Sequence, residues 1–499
     1  MSNSGAIFSL SLRNMRQPFY LVLLFACLWA SCAINAQDTQ NRGDKEKQDV
    51  QKELDGKMPK YTAIAQNIWE WAELGYQEEK SAALLQETLA EAGFKIEKGV
   101  AEIPTAFVAT YGSGSPVIGV LGEYDALPGI SQTATPDQQP VVEGGAGHAC
   151  GHHLFGTASA AAAIAIKNWL AQTGTKGTIR FYGTPAEEGG AGKVYMVRAG
   201  LFEDVDAVLH WHPSSGNSAD ARSSLANKSA KFRFYGQAAH AAGAPERGRS
   251  ALDGVEALNY MVNLMREHVP SDARIHYVIT RGGEAPNVVP AFAEVFYYTR
   301  HPEMQMVREI FDRVVAAAEG AAKGTGTRME YEVIHGIYNV LPNETLSRLM
   351  HKNLSMVGGV VYNAEEKAFA EKIMATYETK ATLASANEIK PFQIFRKGSG
   401  GSTDVGDVSW AVPTAGMSSA TWVPGTGAHS WQAVAAGGMS IGKKGMMVAA
   451  KTIALSAIDI YRNPSVTETA RKELNESRGD DFVYKSLLGD RKPPLDYRK

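Results

Sequence analysis

Apolar and polar positions recur along this chain with two periods, and the switches between them mark its elements. From about Tyr61, "YTAIAQNIWEWAELGY" reads as helical, and so does "SAALLQETLAEAGF", which stops at Gly93. The short runs "AFVATYG" and "PVIGVLG" read as strands. A helix from Thr157 to Leu170 follows. Next come "GTIRFYGTPAEEGG", a strand and loop, and "LFEDVDAVLHWHPSS", a strand with a polar exit. Strand and helix alternate, which predicts an α/β sheet covered by helices.

The pattern then changes. "AKFRFYGQ" is a strand, "SALDGVEALNYMVNLMREH" a helix, and "RIHYVITRGG" and "AEVFYYTR" are strands. "EMQMVREIFDRVVAAAEGAAK" is a helix and "TRMEYEVIHG" a strand. This β-α-β-β-α-β order is that of a ferredoxin-like unit. It spans residues 228–339 and is expected as an insertion between catalytic segments 57–227 and 340–465. The second segment holds the apolar helix "IGKKGMMVAAKTIALSAIDIY". Residues 37–56 are a polar tether and 466–499 a C-terminal extension. Repeats and coiled-coil patterns are absent.

Composition changes little. With 44% hydrophobic and 21% charged residues and a net charge of −3, nothing favours nucleic acid or an anionic membrane as partner. The N terminus is separate. Arg13 and Arg16 precede the apolar run Phe19–Ala30 and the small-residue stretch "SCAINAQ". That is a secretory signal over residues 1–36, with cleavage after Ala36. The run is too short for a comfortable membrane span. The expected location is periplasmic, with lipid attachment at Cys32 as the alternative. Cys150 is then the only cysteine of the mature chain, so no internal disulfide forms.

Chemistry concentrates after the predicted strands, where open α/β sheets bind ligands. The clusters are "GEYDALP" (122–128), "GHACGHH" (147–153), "TPAEEGG" (184–190), "HWHP" (210–213) and "GTGAHSW" (425–431). Taken singly, each has a plain explanation: a turn, a solvated loop, a histidine satisfied by a carbonyl. Together they supply thiolate, imidazole and carboxylate, the ligand types of zinc and related ions.

These motifs, with "GQAAHAAGAPERGRSALDG" and "GGEAPNVVP", resemble in order the metallo-amidohydrolases of the aminoacylase and carboxypeptidase G class. The match is to the branch of hippurate and auxin-conjugate hydrolases and runs from about Tyr61 to Arg462. The resemblance implies a phosphorylase/hydrolase-like mixed sheet with an inserted lid and dimerisation domain. It also implies two divalent ions per subunit, manganese or zinc. The family's ligands fall on Cys150, His152, Glu188, His212 and His429. Its general acid/base falls on Glu187, and Asp125 and His240 fall beside it among the catalytic residues. Relatives usually have Asp where Glu123 stands, and commonly Asp where His153 stands, so no role is carried over to either. His148 falls behind the ligands rather than among them. In relatives the histidine matching His240 reaches the neighbouring subunit's site, and Asn287 and Arg300 fall on lid positions that hold substrate.

The implied reaction is hydrolysis of N-acyl or N-aroyl amino acids with a free carboxylate, of which p-aminobenzoyl-glutamate is an example. A homodimer through the lid is expected, or pairing with a second homologous subunit. Three other readings stay open: a metallo-dipeptidase on the same scaffold, a thiol hydrolase using Cys150, and a silent binding protein. Intact Glu187 speaks against the last.

Overall fold

The computed structural model describes residues 42–498 except Ser399. The expected signal segment, including Cys32, lies outside the described residues. Residues 42–53, within the expected tether, are helical and form a unit of their own. The second unit begins at Leu54.

Strands β1 (Lys95–Lys98), β2 (Phe107–Ser113), β3 (Val117–Gly122), β4 (Gly177–Gly183) and β5 (Ala207–Ser214) come first. Then come β6 (Ala226–Tyr235), β7 (Arg274–Arg281), β8 (Phe292–His301) and β9 (Arg328–Ile337), and finally β10 (Thr414–Ala420). The central sheet has six strands in the order β1-β2-β4-β3-β5-β10. Strands β4, β3, β5 and β10 run parallel, while β2 and β1 are antiparallel. All of β3 is buried, as a continuous apolar run between two covered faces requires.

Helix α1 (Met58–Trp71) buries Tyr61, Ile64, Ala65 and Ile68, the one-face spacing of an amphipathic helix. Helix α2 (Glu79–Glu91) packs on α3 (His152–Thr173), the central helix. The alanine run of α3 lets it lie close against the sheet. At Gly156 the approach is closest: a Cβ there would stand 2.7 Å from the Glu123 carbonyl oxygen. Among the described residues α3 alone is long and apolar enough to cross a membrane, and it is buried in this core. Helix α4 (Gly192–Arg198) follows the loop after β4.

The inserted unit forms a second, four-stranded antiparallel sheet in the order β9-β6-β8-β7. Helices α5 (Ala251–Met265) and α6 (Met304–Thr325) cover one face. Phe232, Phe234, Leu258, Tyr297, Phe311 and Val314 make its core. This is the expected ferredoxin-like arrangement, with β7 as an edge strand.

The chain then returns to the central sheet through α7 (Glu344–Val357), α8 (Ala364–Met374), α9 (Val405–Ala411) and β10. It ends in α10 (Trp431–Gly438), the buried α11 (Ser440–Arg462) and α12 (Ser465–Arg478). The parallel strands all point their carboxyl ends to one edge of the sheet, where Glu123, Thr184 and the end of β5 meet.

Candidate metal centre

Each polar cluster reaches this edge by a different route. Glu123 and Asp125 leave β3, Glu187 and Glu188 leave β4, and His212 sits near the end of β5. Cys150 and His152 flank Gly151, whose φ of 76° starts α3. A Cβ on Gly151 would stand 2.7 Å from Pro213, so glycine is what lets Cys150 approach His212. His429 enters from the loop after β10, where its amide donates to the Ala149 carbonyl oxygen at 3.0 Å. Ala186 and His429 both adopt positive φ, 57° and 59°. For residues with a Cβ this is strained backbone, which persists only where surrounding contacts enforce it.

The side chains converge. Cys150 Sγ lies 3.3 Å from His212 Nε2, and His429 Nε2 lies 3.1 Å from Glu188 Oε1. His152 Nε2 lies 3.1 Å from Glu123 Oε2, while its Nδ1 pairs with Asp125 Oδ1 at 2.8 Å. Asp125 Oδ2 also accepts from the Glu188 amide at 2.9 Å, so one carboxylate orients both a histidine and the glutamate loop.

Ligand atoms within 4.8 Å of one another fall into three sets: Cys150, His152 and His212; Cys150, Glu188 and His429; Glu123, His152 and Glu187. The first two share the Cys150 sulfur. His152 Nε2, Glu188 Oε1 and Glu123 Oε2 are buried without a hydrogen-bond partner, although each ligand pair is within ion-pair distance. Buried polar atoms are seldom left this way. Atoms aimed at a common point rather than at each other suit cations, and the soft thiolate, imidazole and carboxylate set suits zinc or a related ion. The residues present therefore fit two ions sharing one thiolate.

The electrostatics agree. Burial pushes the Cys150 thiol well up. Burial also raises the Glu187 carboxyl well above its usual range, and the charges of Glu123 and Glu188 add to it. His212 is pushed down to about 4 by burial and by His152, which leaves a neutral imidazole able to ligate. Burial opposes the charging of His152, but Cys150, Glu123 and Asp125 outweigh it and hold it high.

His148 and His153 do not join the sets. His148 Nε2 pairs with the Ile68 carbonyl oxygen at 3.0 Å, and His153 Nε2 with that of Gly437 at 3.1 Å. His240 and Asn287 lie together on the lid: the His240–Val288 bridge joins their loops, and the Asn287 carbonyl oxygen accepts from the Ala241 amide at 3.1 Å. Arg300, on β8, lines a cavity of about 940 Å³ with Arg274, His276 and Tyr298. The residues of the three ligand sets do not line that cavity.

Two groups had no signal in the chain pattern. Lys193, fully buried on α4, bridges Glu123 Oε1 at 2.6 Å and Asp404 Oδ1 at 2.7 Å. Glu78, also buried, accepts from the Ala186 amide at 2.8 Å and from Thr105 at 3.0 Å, which fixes the strained turn before Glu187.

The model of peptidase family M20/M25/M40 matches residues 119–453. The chain belongs to this family. Within the M20 family it is 44% identical to one of the two p-aminobenzoyl-glutamate hydrolase chains of Escherichia coli, over 84% of this chain and 93% of that one. It is 29% identical to a Mus musculus Xaa-Arg dipeptidase, over 84% and 90%. Two solved structures share the M20 fold. An aminobenzoyl-glutamate utilization protein from Klebsiella pneumoniae has a TM-score of 0.57 at 19% identity, over 83% of this chain and 98% of that one. A dinuclear metal binding M20 peptidase of Bacillus subtilis has a TM-score of 0.55 at 19% identity, over 82% and 99%. The metallo-amidohydrolase class expected from the motifs and the fold expected with it are both met.

Proposed function

We propose that this M20 protein hydrolyses the amide bond of N-acyl or N-aroyl amino acids, with p-aminobenzoyl-glutamate as the first substrate to test. One observation carries the reading: two ligand sets meet at the buried Cys150, and Glu187 lies within ligand distance of His152. The 44% identity to a p-aminobenzoyl-glutamate hydrolase chain directs the choice of substrate.

Two divalent ions, manganese or zinc, held by Cys150, His152, His212, Glu188 and His429, would activate water and polarise the amide carbonyl. Glu187 takes a proton from the attacking water and delivers it to the leaving nitrogen. Asp125 keeps His152 and Glu188 in direction. His240 donates to the developing oxyanion. Asn287 and Arg300 hold the substrate from the lid, Arg300 through the free carboxylate. Lid movement brings these groups to the ligand sets and excludes water.

Chelation tests the core of this reading. Hydrolysis of p-aminobenzoyl-glutamate should cease in chelator and return with added manganese or zinc. Activity indifferent to chelation would remove the metal mechanism and favour a thiol hydrolase. The 29% identity to an Xaa-Arg dipeptidase favours a second reading on the same scaffold. A panel of N-acyl amino acids and Xaa-Arg dipeptides, compared by kcat/KM, separates the two.

Carboxylate recognition by Arg300 has its own test. Esterifying the free carboxylate of a good substrate should lower kcat/KM roughly 10- to 100-fold, the worth of a charge-assisted hydrogen bond. Arg300→Ala should narrow that difference. Equal turnover of free and blocked forms by the unaltered protein would sink this assignment.

A homodimer through the lid is part of the proposal, with a second homologous subunit as the alternative. His240→Ala should keep its metal and lose roughly a hundred-fold or more in turnover, as expected for an oxyanion donor. Mixing it with Glu187→Gln should restore part of the activity if His240 acts across the dimer. Confirmed heterodimers without recovery would show that each subunit works alone. The proposed location is periplasmic, and N-terminal sequencing of the exported protein distinguishes cleavage after Ala36 from lipid attachment at Cys32.

A further inference from the structure

The family match ends at residue 453, yet the chain continues beyond α12 as a long irregular segment. Its path is fixed by specific contacts. The Tyr484 hydroxyl donates to Asp407 Oδ1 at 2.6 Å, and the Lys485 carbonyl oxygen accepts from the Tyr338 hydroxyl at 2.6 Å. Leu487 and Leu488 are buried, and a Cβ on Gly336 at the end of β9 would stand 2.8 Å from Leu487. Further on, the Lys492 carbonyl oxygen accepts from the Tyr195 hydroxyl at 3.2 Å and that of Leu495 from Gln77 Nε2 at 2.8 Å.

The segment finishes at the metal-ligand loop. The Tyr497 hydroxyl at 3.1 Å and Arg498 Nη2 at 2.9 Å both donate to the carbonyl oxygen of Glu188. The Tyr497 ring meets Tyr76 edge-on at 5.6 Å, and the Tyr76 hydroxyl donates to the Gly190 carbonyl oxygen at 2.7 Å. Room for Tyr497 comes from Gly75, where a Cβ would stand 2.2 Å from its hydroxyl. Glu188 is thus gripped on both sides of its backbone: the amide by Asp125 and the carbonyl by the C-terminal segment. Ala186 and Gly189 on either side have φ of 57° and 95°, so the loop relies on outside contacts for its shape.

We infer that residues 479–498 form a strap whose end, Tyr497 and Arg498, positions the metal ligand Glu188 through its carbonyl oxygen. The inference rests on the proposed reading of Glu188 as a ligand and goes beyond it, because these residues lie outside the family match. Tyr497 and Arg498 touch neither substrate nor ion in this role. They act by holding the direction of the Glu188 side chain.

The test uses the whole protein, stripped of metal and titrated with Co²⁺ while the absorption of the cobalt–thiolate complex is followed. Tyr497→Phe and Arg498→Ala, singly and together, should weaken a Co²⁺ binding step roughly 10- to 100-fold, as loss of a partner behind a ligand does. Arg498→Lys, which still donates, should recover part of the affinity. With p-aminobenzoyl-glutamate, kcat at limiting metal should fall and return with excess metal, while KM stays unchanged. Wild-type Co²⁺ affinity in the double variant, with or without a lowered Tm, would overturn the inference and leave the strap as packing alone. Should the unaltered protein bind no Co²⁺, the reading of Glu188 as a ligand fails, and the strap's role fails with it.

Discussion

Glu187→Gln is expected to lose roughly a hundred-fold to ten-thousand-fold or more in kcat while keeping its metal and its fold. Acid/base catalysis by a positioned carboxyl has about that worth. The fold should tolerate the change well. Glu187 stands near Glu123 and Glu188, and both burial and those charges favour its uncharged form. Glutamine has the shape of that form and removes a titrating group from a crowded site, so Tm should hold or rise slightly. Metal content decides between two roles. Glu187 stands outside both sets that share Cys150, but it completes a third with Glu123 and His152. Two ions per subunit with no turnover assigns Glu187 as the base. Loss of an ion would instead make it a ligand, and retained turnover would remove it from the mechanism.

Much of this site is legible in the sequence because its parts are local. "GHACGHH", "TPAEEGG" and "HWHP" each place ligand types beside a recognisable strand or helix. The inserted unit is legible for the same reason, since β6 to β9, α5 and α6 each carry a clear period. What escapes depends on pairing across the chain. Strand β10, "TAGMSSA", has almost no β-branched or aromatic residues, and it is a strand because Thr414 to Ala420 pair with Val208 to Ser214. Lys193 looks like an ordinary helix lysine until Glu123 and Asp404, from distant segments, close around its ammonium group. The last residues, "KSLLGDRKPPLDYRK", read as a polar extension. Their first two leucines are buried and their tyrosine and second arginine reach Glu188, which no local pattern announces.

Cys150→Ser should be the most damaging substitution for metal binding, because this sulfur belongs to both ligand sets. Zinc held by four protein ligands gains about 10–16 kcal/mol, so one ligand is worth roughly 3 kcal/mol, on the order of a hundred-fold in affinity. The loss here falls on both ions at once, and hydrolysis should fall with occupancy. Protons give an independent check. Burial holds the Cys150 thiol in its protonated form without metal, so loading must release that proton. The sign follows: affinity should rise with pH while the folded thiol remains protonated, and it should fall as pH drops. Cys150→Ser should lose that part of the pH dependence and release fewer protons, as calorimetry in buffers of different ionisation enthalpy would measure. A serine variant with full occupancy, unchanged proton release and no activity would instead mean that Cys150 ligates nothing. The sulfur 3.3 Å from His212 would then have to be read as a nucleophile beside its base.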